Sequence, residues 1–369
     1  MIDVSAPTPL SPRRKTAFAL TAISLVVGGA ALSLLGLDVY LHHRVQNLSG
    51  VNVWGYRGDV IPRKQPGEVR IVVLGGSTAF GYGLPPTDSF PAFLEQNLNR
   101  ERHGRPTFRV ANLGAPGQGA FGFRFDLEDY AYMRYDLVIL YEGYNDLGPQ
   151  DIPDDVPHPY DPNTPARAPR AGLNELLWRR QSPVFRATGY MPVLPLVLRE
   201  KAMAMLAGGD LDAAYRGRTV FRPGLATRAT ATALMSAAAI ADSVGTQLGR
   251  LSAHTALDHP VDDAQRWRRY VENVTAAVAV ARKRGAKALV VTQPYVSDAH
   301  VRQQRALALA VAEQSAHDRG IAYVNLGTVV DLRDRRIAYD GLHLVAEGNQ
   351  AVAARLVEPT LQLLDAARP

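Results

Sequence analysis

The chain has no cysteine among its 369 residues. That absence excludes a disulfide framework, a thiolate zinc site and a cysteine nucleophile, and fits either redox compartment. There is also no block of Lys and Arg interleaved with aromatics of the kind that tracks a phosphate backbone. The formal charge of +6 is spread over many arginines with acidic residues between them, so no nucleic-acid partner is expected. No internal repeat is present. His42, His43, His103, His158, His254, His259, His300 and His317 fall at no metal-ligand spacing, so they are expected to be exposed or structural, and no metal or cofactor is expected. With 47% hydrophobic residues, the chain can still bury a sizeable core.

Charge is missing altogether from Thr16 to Leu37. At about 1.5 Å per residue such a helix crosses a hydrocarbon core of about 30 Å. Arg13, Arg14 and Lys15 precede it, which by the positive-inside rule puts residues 1–15 in the cytoplasm, a span over 16–41 and the remainder outside. A cleaved signal peptide is the rival, but the apolar run exceeds the usual h-region of about 7 to 15 residues and lacks a clear Ala-x-Ala exit. Residues 42–69 read as a linker leading into the next domain.

Beyond it, β-branched runs alternate with helical patterns. Strands are expected at 70–75, 108–113, 137–141, 288–292 and 322–326, and helices at 90–99, 263–284, 298–319 and 346–364. This alternation predicts an α/β fold with a parallel sheet covered by helices on both faces, built from 70–147 and 261–369. Between them, residues 148–260 break the rhythm. They run Pro-rich, then apolar from Tyr190 to Leu198, then Ala-rich and helical from Leu225 to Ala256, and read as a largely helical insertion. Tyr190 to Leu198, interrupted by Pro192 and Pro195, is too short to be a second span. It could lie on the membrane, cover the site as a lid, or belong to a subdomain packed on the sheet edge.

In an open parallel sheet, ligands bind beyond the carboxyl ends of the strands. The first strand runs Val72-Val73-Leu74 onto Gly75-Gly76-Ser77, the second onto Asn112-Leu113-Gly114-Ala115-Pro116-Gly117, and the third onto Glu142-Gly143-Tyr144-Asn145-Asp146. Asp340 and His343 occupy the loop before the last helix. A serine hydroxyl is a poor nucleophile unless an imidazole lies within hydrogen-bond reach and a carboxylate holds that imidazole's tautomer. Asp340 and His343 could supply both from one turn. Glu142 and Asp146 are expected to support the site, and Pro294 and Tyr295, after the fourth strand, to line its pocket.

These segments, in this order, resemble the SGNH (GDSL-type) hydrolases, serine esterases and acyl hydrolases on a flavodoxin-like three-layer α/β/α sandwich. The resemblance covers Val72 to about Leu356 outside the insertion. It implies that Ser77 is the nucleophile, that Asp340 and His343 are the acid and base, and that the Ser77 amide, the Gly117 amide and the Asn145 side chain form the oxyanion hole. The family usually reads Gly-Asp-Ser where this chain reads Gly75-Gly76-Ser77, so the aspartate before the serine is missing; it is neither nucleophile nor base.

The expected function is a membrane-anchored serine esterase acting outside the cytoplasm, periplasmic or at the cell surface, on short acyl esters, O-acetyl foremost, of an envelope or exported polysaccharide. A lipid-directed acyl hydrolase or an acyltransferase would use the same residues. A non-catalytic assembly factor for an envelope polymer could keep the fold and lose the rate.

Overall fold

A computed structural model describes residues 11–147, 185, 188–209, 221–249 and 263–366. The Pro-rich start of the insertion, the end of its expected helix beyond residue 249, and His158, His254 and His259 lie outside the described residues.

Five strands, β1 (Glu68–Gly75), β2 (Thr107–Asn112), β3 (Leu137–Tyr141), β4 (Lys287–Thr292) and β5 (Ile321–Asn325), form one wholly parallel sheet in the order β2-β1-β3-β4-β5. This is the flavodoxin-like order, whose switch point lies between β1 and β3. All five β3 residues are buried, as a central parallel strand covered on both faces requires. Side chains alternate between the two faces. Ile71 and Val73 join Phe90, Leu94, Leu98, Val352 and Leu356 on one side, whereas Val72 and Leu74 join Phe123, Leu127, Tyr270 and Val274 on the other.

The first side is covered by α3 (Phe90–Glu101) and α9 (Ala346–Asp365), the second by α4 (Phe123–Asp129) and α7 (Asp263–Lys283), with α8 (Asp298–His317) beside α7. In α3, Phe90, Leu94 and Leu98 recur every four residues and point inward, and Pro91 occupies the first turn, where its missing N–H is no loss. Elements begin and end within two residues of the sequence expectation.

The N-terminal segment departs from it. Helix α1 runs unbroken from Pro12 to Ser49, into the first residues of the stretch expected to be a linker. Its Pro12–His43 portion is long and apolar enough to cross a membrane, with a mean hydropathy of 2.2 and none of that window buried. Gly50, in the left-handed conformation at φ 72°, ends the helix, and Val51 and Tyr56 enter the core immediately. Residues 42–69 are therefore helix followed by packed chain.

The described part of the insertion is a helical hairpin of α5 (Leu194–Leu206) and α6 (Leu225–Gly249). Met191 and Leu196 belong to the core cluster that holds Tyr130 and Phe185. Asp38 of α1, itself buried, accepts the backbone N–H groups of Val193 (2.8 Å) and Leu194 (2.6 Å) and the Tyr190 hydroxyl (2.5 Å). That satisfies donors that the start of α5 would otherwise leave orphaned. The segment Tyr190–Leu198 is thus docked on α1 and the core.

Candidate active site

Ser77 opens α2 (Ser77–Phe80) at the C-terminal end of β1 and is partly exposed. The turn before it demands glycine by close approach. A Cβ on Gly75 would stand 2.3 Å from the Tyr141 carbonyl oxygen, and one on Gly76 would stand 2.0 Å from Asn145 Nδ2. Two glycines therefore let β1 and the β3 loop come together under the serine.

Across from Ser77, the loop before α9 brings Asp340 and His343. The i, i+3 spacing has a local cause: Asp340 Oδ1 accepts the backbone N–H groups of Leu342 (3.0 Å) and His343 (2.7 Å), folding the loop so that Oδ2 meets His343 Nδ1 at 2.6 Å. His343 Nε2 lies 2.8 Å from Ser77 Oγ. A carboxylate at Nδ1 fixes the ring proton there, which leaves Nε2 to accept the serine O–H. Burial pushes the Asp340 pKa up, but the hydrogen bond and charge of the His343 ring, with the two amides, outweigh burial and hold it below the ordinary carboxylate value. Tyr339 stacks on the imidazole at 5.9 Å between ring centroids and 16° between planes, and Tyr82 approaches at 5.2 Å. The Tyr339 hydroxyl donates to the Tyr82 carbonyl at 3.1 Å, closing an aromatic wall around the base.

Asn145 follows β3. Its Nδ2 donates to the Gln118 carbonyl at 2.9 Å and has Glu142 Oε2 as a second acceptor at 3.5 Å. Gly117, the expected partner in the oxyanion hole, is exposed at φ 72° in the turn closed by Gln118 N–H to Ala115 (3.1 Å). The structure thus joins Ser77, His343 and Asp340 in one hydrogen-bonded chain and packs Asn145 against the nucleophile turn, while Gly117 is tied to Asn145 through the adjoining Gln118.

Several supporting residues escaped a reading by motif. Gln293, after β4, accepts the Tyr144 N–H at 2.9 Å and donates to Thr78 Oγ1 at 2.8 Å, linking the loops of β3, β4 and β1. Gln303 and Gln304 of α8 and Tyr270 of α7 donate to the carbonyls of Gly143 and Glu142 (3.0, 3.3 and 2.7 Å). Only their position after a strand or on an inward helix face could have signalled them. Asp146 accepts the Ala120 N–H at 2.9 Å, and burial pushes its pKa up to about 6. Glu142 is buried, which together with the Asp146 charge pushes its pKa up to about 8 against the pull of the Gly143, Asn145 and Gly76 amides. His300, fully buried with neither ring nitrogen hydrogen-bonded, has its pKa lowered to about 3 by burial. It packs on Tyr144 and Tyr295 at 4.9 and 5.8 Å.

Tyr295 lines a cavity of about 580 Å³ beside the acid-bearing loop, with Ser297, Asp298, Thr328, Asp331 and Gly341 among its walls. Pro294 instead offers its carbonyl to the buried Tyr144 hydroxyl. Among the described residues, no group of three or more His, Asp or Glu side chains is placed to hold a metal ion.

The arrangement can move a proton from a serine hydroxyl to an imidazole whose charged form a buried carboxylate steadies, next to a neutral amide donor. Residues 73–351 match the GDSL-like Lipase/Acylhydrolase family. No curated protein matches the chain. Among solved structures, a Clostridium thermocellum family 3 carbohydrate esterase is similar at 13% identity and TM-score 0.41, over 81% of this chain and 98% of that one. The lipase/acylhydrolase from Enterococcus faecalis aligns at 15% identity and TM-score 0.38, over 79% and 94%. A GDSL-like lipase from Bacteroides thetaiotaomicron VPI-5482 aligns at 13% and 0.37, over 83% and 93%.

Proposed function

The chain belongs to the GDSL-like lipase/acylhydrolase family, and from that premise we propose that it is a membrane-anchored serine esterase that removes short acyl groups, acetyl foremost, from a carbohydrate outside the cytoplasm. The observation that carries the mechanism is the chain Asp340 Oδ2 to His343 Nδ1 at 2.6 Å and His343 Nε2 to Ser77 Oγ at 2.8 Å. Ser77 attacks the ester carbonyl while His343 takes its proton, and Asp340 holds the imidazolium. The amides of Ser77 and Gly117 and the Asn145 side chain receive the oxyanion. His343 then returns the proton to the leaving alcohol, and water, deprotonated by the same ring, releases the acyl group from Ser77.

The cavity at Gly341 offers a carbohydrate alcohol polar partners in Ser297, Asp298 and Arg335, alongside the apolar Val296, Val301 and Leu332, which leave room for an acyl group as well. Anchoring is supported by the apolar surface of α1, and the orientation by Arg13, Arg14 and Lys15 at its start.

The test compares hydrolysis of 4-nitrophenyl acetate, butyrate and palmitate by the full chain in detergent with that by Ser77→Ala, and measures acetate released from an O-acetylated polysaccharide. Ser77-dependent turnover favouring acetate is the expected result. A palmitate preference would replace the carbohydrate by a lipid, and esters consumed only when an acceptor alcohol is added would make the protein a transferase. Activity equal to that of Ser77→Ala on every ester would refute a catalytic role.

A further inference from the structure

The turn before the nucleophile has no side chain at position 76, yet the space one would occupy is full. A Cβ there would stand 2.0 Å from Asn145 Nδ2 and 2.8 Å from Glu142 Oε2. Glu142 reaches this point from the loop after β3, and it is only 2% exposed. Its Oε1 accepts the backbone N–H groups of Gly143 (2.9 Å) and Asn145 (3.0 Å), its Oε2 lies 3.5 Å from Asn145 Nδ2, and the Gly76 backbone N–H donates to the same carboxylate.

Each of these contacts to the carboxylate comes from a donor. These donors favour the ionised form, working against the burial and the Asp146 charge that push its pKa up to about 8. The titratable groups around it are Asp146, Tyr141 and Tyr144 on its own segment and Tyr270 from α7. The Glu142 carbonyl is fixed separately, by Tyr270 and Gln304, so the side chain is left to span two loops.

We propose that Glu142 is the positioning residue of this site: its carboxylate clamps the Gly76 amide of the nucleophile turn to the backbone and side-chain amide of Asn145, setting the distance between the attacking hydroxyl and the oxyanion donor. The residue does not touch substrate. It acts through Asn145, and this role rests on the reading of Asn145 as an oxyanion donor. The clamp is built from outside the serine motif: where Gly-Asp-Ser chains carry an acidic side chain next to the nucleophile, this chain carries glycine and brings a carboxylate from the neighbouring strand.

Glu142→Gln is nearly isosteric but turns an NH2 group toward one set of donors. The experiment is a double-mutant cycle with Asn145→Ala on the full chain in detergent, with 4-nitrophenyl acetate as the probe. Losing one oxyanion donor costs about 10²-fold in kcat. Glu142→Gln should approach that loss with KM within about twofold, and should cost less than about twofold more once Asn145 is already alanine. Equal losses in both backgrounds, or a KM rise with kcat kept, would overturn the clamp. Should Glu142→Gln fail to fold, as read by circular dichroism, Glu142→Asp replaces it in the cycle, keeping the charge and losing the reach. An unaltered chain without Ser77-dependent turnover would overturn the proposed function itself, and Asn145→Ala at full activity would overturn its oxyanion role; additive losses in an active enzyme would remove only the clamp.

Discussion

Gly76→Ala is the most direct perturbation of the geometry beneath Ser77. The added Cβ would stand 2.0 Å from Asn145 Nδ2 and 2.8 Å from Glu142 Oε2. Ordinary van der Waals contact begins near 3.4 Å, so the amide nitrogen must retreat by about 1.4 Å. That shift strains its bond to the Gln118 carbonyl, 2.9 Å in the unaltered chain, and Glu142 Oε2 must retreat by about 0.6 Å as well while Oε1 stays held by its amide donors. A misplacement of about 1 Å at a reacting centre costs roughly 10²-fold, and an oxyanion donor is worth about 3 kcal/mol. The predicted fall in kcat on 4-nitrophenyl acetate is therefore about 10²- to 10³-fold, with KM little changed. Overpacking should also lower stability by about 1–3 kcal/mol, so turnover must be normalised to the fraction of Ser77 labelled by a fluorophosphonate. A kcat within twofold of the unaltered enzyme, at full labelling, would refute the placement of Asn145 at the reaction centre. Gly117→Ala is the contrasting case. Its Cβ would meet nothing within 4 Å but would sit at φ 72°, so it should cost stability, about 1–2 kcal/mol, and leave kcat within a few-fold.

Asp340→Asn keeps an acceptor for the two loop amides and removes the charge facing His343 Nδ1. Loss of the correct tautomer should lower kcat by about 10⁴-fold with KM held, measured on the same ester. Because the folded pKa of Asp340 lies below the unfolded value near 3.9, its contribution to stability is complete above that value and fades as pH falls through the folded one. Melting temperatures of the unaltered chain and Asp340→Asn, separated at pH 7, should converge below about pH 4; a constant gap would contradict the shift. Asp38→Ala would orphan the amides of Val193 and Leu194 and the Tyr190 hydroxyl, costing about 2 kcal/mol, and should expose the α5–α6 hairpin to limited proteolysis while sparing the sheet.

What could be read without coordinates was whatever is local. The alternation of strands and helices, the Asp340-Gly341-Leu342-His343 turn and the serine after β1 each depend on residues within a few positions of one another. The α1 extension escaped because Asp38, His42, His43 and Arg44 look like the polar end of a span. Nothing nearby reveals that Asp38 turns inward to cap a helix more than 150 positions later. Glu142 was legible as a supporting residue after the third strand, but not its reach to Gly76, which lies on another strand. Gly117 was expected from the family resemblance as an oxyanion donor, but its relation to Asn145 runs through the carbonyl of Gln118, which no motif encodes.

The unbroken run of α1 into the core bears on how such an enzyme meets its substrate. With the apolar portion of α1 in a bilayer, only one or two helical turns separate the lipid from Val51, and those turns are as stiff as the span itself. A slack tether would let the catalytic head sweep a hemisphere; this one holds the serine at a set altitude and confines its search to a plane. Esters anchored in, or emerging from, that membrane at the matching height come within range by lateral diffusion alone, while the same bond a few nanometres higher stays out of reach however abundant it is.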